Sequence, residues 1–276
     1  MASTTDLVDK VVHHHNQGRR KRDSGDIDGA FDEFSEVLRL LPTGGVAYFD
    51  RGSLHAMVNN HREAKTDLNI ALALLDHDAD ERPVAFHNRA AAQLALGDLG
   101  GAAHSYDMAA RLGFRPSVGE SQRLRDQHGD AAEPVGPPPQ DLLREAQQLL
   151  SDAPLLSLAT SAIALEHYPG VAAFLHANAI ANVSVRRFRQ AIESFTAVID
   201  SNPPDGLRAE ALFNRGSLLT REGAFEAAAA DLELAVQLAE DDSVGFPETG
   251  NPDTEEAIRE KLRTMLTAAR DRLDRA

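Results

Sequence analysis

One interval recurs through this sequence and restricts what it can fold into. A small residue is followed twelve positions later by an alanine in five places: Gly18 and Ala30, Gly52 and Ala64, Ala90 and Ala102, Ala179 and Ala191, Gly216 and Ala228. Four positions after each of those alanines stands a larger side chain, Phe34, Leu68, Tyr106, Phe195 and Leu232. Three further on comes a small or β-branched one, Val37, Ala71, Ala109, Val198 and Ala235. Steps of three and four keep side chains on one face of a helix. Two helices that meet at a glycine or alanine on both sides approach closely, so the pattern specifies antiparallel rods joined by a tight turn. The larger residue then fills the gap between neighbouring pairs. The turns fall at Gly25-Asp26, Asn59-Asn60, Gly97-Asp98 and Gly223, where Gly and Asn tolerate the left-handed conformation that ends a helix. Pro42 and Pro203 follow second helices and stop further winding.

With its echoes FDRGSL at 49–54, FHNRAA at 86–91 and FNRGSL at 213–218, this pattern resembles the tetratricopeptide repeat family. Gly18 and Gly52 are 34 residues apart, the family's repeat length; the step to Ala90 is 38 and that from Ala179 to Gly216 is 37. The extra residues lie at 76–82 and near 201–208 and are read as longer loops between repeats. The early aromatic position of the first helix holds His14, Tyr48, Phe86, Leu175 and Leu212. A degenerate unit occupies 140–169, with Leu158 where a small alanine is expected and Ala146 as its small residue. The stretch TEEAIREKLRTMLTAARDRLDRA carries Ile258, Leu262, Met265, Ala269 and Leu273 near helical spacing, which suits a capping helix. Between the halves, AAEPVGPPPQ at 131–140 reads as an extended, semi-stiff spacer.

The expected fold is therefore all-α: a tetratricopeptide-like helix-pair solenoid of about six helix-turn-helix units with a C-terminal capping helix. Three repeats form a first module at 1–130, a Pro-rich linker spans 131–139, and three repeats plus the cap form a second module at 140–276. Positions 52 and 179 differ by 127 and positions 90 and 216 by 126, so the halves read as an internal duplication. Residues 117–128 are expected to cap the first module, with Val118 and Leu124 as anchors.

Composition bounds the chemistry. The absence of cysteine excludes disulfides, thiolate metal sites and a cysteine nucleophile. Forty-three acids against 28 bases give a net charge of −15, which argues against a nucleic-acid duplex or an anionic membrane as partner. MASTTDLVDK has no apolar leader core and no 18-residue apolar run follows, so a cytoplasmic location is expected. The 24 Arg against 4 Lys reads as a GC-rich, bacterial genome.

Several local motifs invite chemical readings. His13, His14 and His15 fan over roughly 200° of a helix and cannot share one ion; one packs inside and the others are solvated. Ser24-x-Asp26-x-Asp28-Gly29 opens like a calcium loop but has Ser35 at its twelfth position, and Asp76, Asp78 and Asp80 alternate without the required glycine. The run Arg19, Arg20, Lys21, Arg22 ends a first helix, where cations offset the helix dipole, or offers a docking patch for an acidic peptide. Asn182-Val183-Ser184 is a sequon without a secretory context. There is no phosphate loop and no nucleophile or zinc motif, so no enzyme, no cofactor and no metal are expected.

The resemblance implies that the first helices line a concave groove. Three positions before the small residue stand His15, Phe49, His87, Leu143, His176 and Phe213. Two before it stand Asn16, Asp50, Asn88, Arg144, Ala177 and Asn214, and one after it Arg19, Ser53, Ala91, Gln147, Ile180 and Ser217. Amides there grip a peptide backbone, and Phe49 and Phe213 receive apolar anchors or belong to the core. Arg51, Arg89 and Arg215, directly before the small residue, read as braces between helices. Some family members clamp the acidic tails of heat-shock chaperones with lysines and asparagines; here Asp50 replaces an amide and Val12 and Val84 replace the lysines, so that specificity is not carried over. The expectation is a non-enzymatic scaffold or adaptor for a protein or peptide, with no nucleic acid and no membrane. The alternative is a signal-responsive regulator that binds a peptide or small ligand and closes its modules about the spacer.

Overall fold

The structure, a computed structural model, describes residues 4–133, 136–240 and 252–275. Among these, every regular element is helical. The chain divides into two compact units, residues 1–139 and 140–276. The first holds α1 (Thr4–Ser24), α2 (Ile27–Leu40), α3 (Gly45–Met57), α4 (His61–Leu74), α5 (Arg82–Ala95), α6 (Leu99–Arg111) and α7 (Glu120–His128), with short 3-10 turns at Arg115–Ser117 and Gly129–Ala132. The second holds α8 (Pro139–Leu149), α9 (Pro154–His167), α10 (Ala172–Ser184), α11 (Phe188–Asp200), α12 (Asp205–Glu222), α13 (Phe225–Glu240) and α14 (Pro252–Leu273). Each unit is a solenoid of helix pairs in which consecutive helices from α1 to α7 and from α9 to α14 pack on one another, and α8 meets α9 through the Ser157–Ala146 hydrogen bond.

The twelve-residue interval is the crossing point of each pair. Ala30, Ala64, Ala90, Ala102, Ala179, Ala191 and Ala228 are all 0% exposed, and Gly18, Gly52 and Gly216 are buried. A Cβ built on Gly18 would lie 2.6 Å from the Phe34 ring. One on Gly52 would lie 3.0 Å from Leu68 Cγ and 3.2 Å from the Leu68 backbone nitrogen. The residue four beyond the alanine thus lies directly over the small residue of its own pair. Phe34, Leu68, Phe195 and Leu232 are fully buried, and Tyr106 is nearly so.

Seven positions after the small residue the chain turns left-handed in five pairs: Gly25, Asn59, Gly97, Arg186 and Gly223 all have positive φ. Four of these turns carry the expected Gly or Asn. Arg186, at φ 63°, was not foreseen, because neither glycine nor asparagine marks it. Asp26 and Asp98 then cap α2 and α6, each accepting a hydrogen bond from the amide three residues on, Gly29 and Gly101.

Three boundaries differ from expectation. The spacer is shorter than 131–139: the 3-10 turn runs through Ala132, which is fully buried beside Tyr106 and Leu124, and α8 starts at Pro139. The residues near 201–208 do not simply lengthen a loop. From Asp205 onward they are helical, giving α12 18 residues where α10 has 13. At the cap on the first unit, Leu124 is buried but Val118 is 63% exposed. In α14, Leu262 and Ala269 are buried against α12 and α13 while Leu273 faces solvent; the side chain of Ile258 lies outside the described residues.

Gly52→Ala is expected to be tolerated with a small loss, because Leu68 must yield only a few tenths of an ångström. Gly52→Leu is expected to destabilise the first unit by roughly 2 kcal/mol or more through overpacking. Urea unfolding curves of the two variants check this difference.

Candidate functional site

The arginine directly before the small residue ties three helices together. Arg51 on α3 makes paired hydrogen bonds to Asp67 of α4, at 2.7 and 2.9 Å, and reaches Ser35 of α2 at 3.5 Å. Arg215 on α12 repeats this with Asp231 of α13, at 2.7 Å twice, and Thr196 of α11 at 3.0 Å. Arg89 on α5 reaches Ser105 of α6 at 3.0 Å and Asn69 of α4 at 3.4 Å. The partners stand three and five positions after the conserved-interval alanine of the relevant second helix. The bond to Asp67 raises the Arg51 pKa above its ordinary value, and Asp231 does the same to Arg215. These arginines are structural braces, as their register predicts. Arg51→Ala leaves the nearly buried Asp67 carboxylate without its partner and is expected to destabilise the first unit by about 2–3 kcal/mol. Arg51→Met combined with Asp67→Leu is expected to recover most of that loss, which a double-mutant unfolding cycle measures.

In the first unit, the groove positions are largely occupied by one another. Asp50 is 1% exposed and receives His15 Nε2 at 2.7 Å, Arg19 Nε at 3.0 Å and Arg22 Nη1 at 3.3 Å. Asn88 Nδ2 donates to Ser53 Oγ at 3.0 Å. Position −2 of one repeat thus bonds position +1 of the repeat before it, in both Arg19–Asp50 and Ser53–Asn88. Phe49 is half-buried and packs against the Ala64, Leu68 and Phe86 cluster, so it is largely core. Asn16 is exposed.

The histidine and basic runs resolve differently from one another. His14 pairs with Glu33 at 2.7 Å and His15 with Asp50, so two of the three adjacent histidines are engaged rather than one. Within the basic run, Lys21 joins Glu33 at 2.7 Å and Arg22 joins Asp23 and Asp50, while Arg20 is exposed. Among the described residues no group of three His, Asp or Glu side chains is arranged to hold a metal ion. The sequon residue Asn182 is 3% exposed and donates to Asn178.

His87 hydrogen-bonds Ser117 through Nδ1 at 2.8 Å and lies between the rings of Tyr106 and Phe114. Burial holds its pKa below the ordinary value, and burial beside Phe31 does the same to His55. The unfolded chain therefore takes up these protons first, near pH ~6.5, and folded-state stability falls as pH drops below that value. The first unit is expected to melt earlier at about pH 5 than at about pH 7.5, and His87→Gln to narrow that difference in thermal scans.

The second unit is built differently on the same face. Here the positions corresponding to the first unit's cross-links are Gln147 and Ala177, then Ile180 and Asn214. Instead of a polar ladder there is a cavity of about 510 Å³ among α8, α10 and α12. Leu143, Ala146, Gln147 and Leu150 line it from α8, and Ala173, His176, Ala177 and Ile180 from α10. The third wall is the start of α12: Pro204, Gly206, Leu207 and Glu210. Ser157 on α9 closes the floor, its hydroxyl bonded to the Ala146 carbonyl at 2.7 Å. His176 Nε2 lies 3.3 Å from a Glu210 carboxylate oxygen, but the angle is too poor for a hydrogen bond and that nitrogen is buried without a partner.

Of the other groove residues expected in this unit, Arg144 is exposed and pairs with Asp141 one turn back. Phe213 packs on the α13–α14 cluster with Lys261 5.2 Å over its ring, and Ser217 donates to the Phe213 carbonyl. Phe213 is therefore largely core, and Asn214 is half-buried. Gly206 and Leu207 were not foreseen because residues 201–208 were read as loop, with the length excess over 34 residues as the signal; Glu210 lies just beyond that stretch and six positions before Gly216, outside the groove positions counted.

The paired helices, interlocking small residues and polar braces define an all-α helical-repeat protein. Residues 209–242, a segment that starts in α12 and includes α13, match the tetratricopeptide repeat family, so this segment carries a tetratricopeptide repeat. The complex of the TPR2AB domain of yeast Sti1 with pHSP90 is similar at a TM-score of 0.40 and 15% identity, over 94% of this chain and 98% of that one. A tetratricopeptide repeat protein from Parabacteroides merdae is similar at 0.39 and 14% identity, over 94% of this chain and 99% of the other. No curated protein sequence matches the chain. No helix among the described residues is long and apolar enough to cross a membrane.

Proposed function

We propose that this chain is a non-enzymatic interaction scaffold that binds an extended peptide segment on the face of its first helices. Its principal seat is the α8–α10–α12 cavity. The observation that carries this reading is the contrast between the two units. In the first, groove positions are spent on bonds between repeats, and buried Asp50 is neutralised by its own neighbours. In the second, Gln147, Ala177 and Ile180 at the same register form no such cross-link and line about 510 Å³ of mainly apolar space, within the range of a ligand seat. His176 faces that seat from α10. Arg144, Asn214 and Ser217 would flank a segment running along the face, with the exposed Asn16 the corresponding residue of the first unit. The hydroxyl that lines the cavity, Ser157, donates to the Ala146 carbonyl, which favours binding without chemistry.

Selection of random peptides displayed on phage against the wild-type protein tests the seat. Enriched peptides are expected to bind wild type, and Ala177→Leu, which fills the cavity, is expected to weaken them at least about tenfold while helical circular dichroism is retained. Retained affinity in that variant would move the ligand elsewhere.

A further inference from the structure

The cavity has a polarity of its own. Among the described residues that line it there is no lysine and no arginine. Its acidic residue is Glu210, whose side chain is 29% exposed and lies 3.3 Å from the His176 ring. No hydrogen bond joins His176 Nε2 to that carboxylate, and Glu210 is one of the residues that line the cavity. Leu143, Leu150, Ile180 and Leu207 surround that single acid with hydrocarbon. A carboxylate in such surroundings binds an N–H cation more strongly than one in water does.

The wider charge points the same way. Residues 140–276 contain 13 Lys and Arg against 22 Asp and Glu, a balance of 13 − 22 = −9. A cationic ligand is therefore drawn toward this unit and an acidic one repelled. The first unit offers the opposite local pattern, with His15, Arg19 and Arg22 converging on Asp50, but there the charges are already matched.

Resting on the reading of the cavity as a peptide seat, we propose that its ligand is a basic–apolar segment. An aliphatic side chain fills the space between α8 and α10, and an adjacent lysine or arginine is read by Glu210. Glu210 then sets specificity by charge, and Leu207 and Gly206 beside it shape the wall. This is the reverse polarity of a site that captures acidic tails.

Three fluorescein-labelled synthetic peptides of one frame, Gly-Ser-Leu-X-Leu-Ser-Gly with X as lysine, norleucine or glutamate, provide the test by fluorescence anisotropy with the full chain. The lysine peptide is expected to bind at least about tenfold more tightly than the glutamate peptide, with norleucine between them, and the gap to shrink at high salt. Glu210→Gln is expected to lower affinity for the lysine peptide about tenfold and leave the norleucine peptide unchanged, which also shows that the variant is folded. Ala177→Leu is expected to weaken all three. Equal affinity for the three peptides, or equal effects of Glu210→Gln on all of them, overturns the charge assignment while loss in Ala177→Leu keeps the seat. Failure of all three to bind also overturns the assignment, and the phage-selected peptides then decide the seat independently.

Discussion

Everything in this molecule depends on how closely two helices can approach at one point. Where Gly216 meets the Ala228 backbone, and Ala90 packs with Ala102, there is no side chain beyond Cβ to hold the axes apart. The larger residue one turn further on then lies across the crossing instead of beside it. That single geometry fixes the pair, and the pair fixes which residues are left to face a neighbour. Because apolar burial is shared out in small parcels of alanine and leucine, with no tryptophan and few aromatics, the packing depends on close fit more than on large side chains.

Polar contacts complete what the apolar crossings begin. The brace arginines sit immediately before the small residue, so the guanidinium leaves α3, α5 or α12 from the same register position and meets its own second helix and the previous one. A planar fork with several donors can pair both oxygens of a carboxylate on one helix and still reach a second helix, a geometry that the compact ammonium of a lysine does not reproduce. The partners vary among Asp67, Ser105 and Asp231, yet the register does not. Mutual satisfaction extends to the first-helix face of the first unit. There Asp50, Asn88 and Ser53 join repeats side by side, which leaves that face with few free groups.

Much of this was legible in the sequence because it follows from spacing. The crossings, four of the five left-handed turns and the arginine braces all depend on short-range periodicity, which a linear reading preserves. Arg186 was not legible, since a non-glycine residue in a left-handed turn is imposed by the helices on either side and carries no local mark. Of the groove ladder, His176 was placed where it faces the cavity. Phe49 and Phe213 went largely to the core, because a residue at the edge of the groove register touches whatever neighbouring helix is nearest. Asp50 was expected to face a ligand and instead holds two arginines and a histidine, contacts between residues 28 to 35 positions apart that no local pattern announces. Gly206 and Leu207 were missed because a length excess can be absorbed either by loop or by helix, and spacing alone does not distinguish them; Glu210 lies one turn too far from Gly216 for the groove register to include it.

The extended start of α12 has an evolutionary implication. In an array whose pieces interlock at fixed intervals, substitutions at the crossings are punished, whereas residues added at a helix start lie outside the interlock. Lengthening one rod erects a new partition over its neighbours without shifting any of them, so insertions there can diversify what the molecule selects while its framework stays constant. Variation among related chains should therefore accumulate at that rim, in length as much as in residue identity.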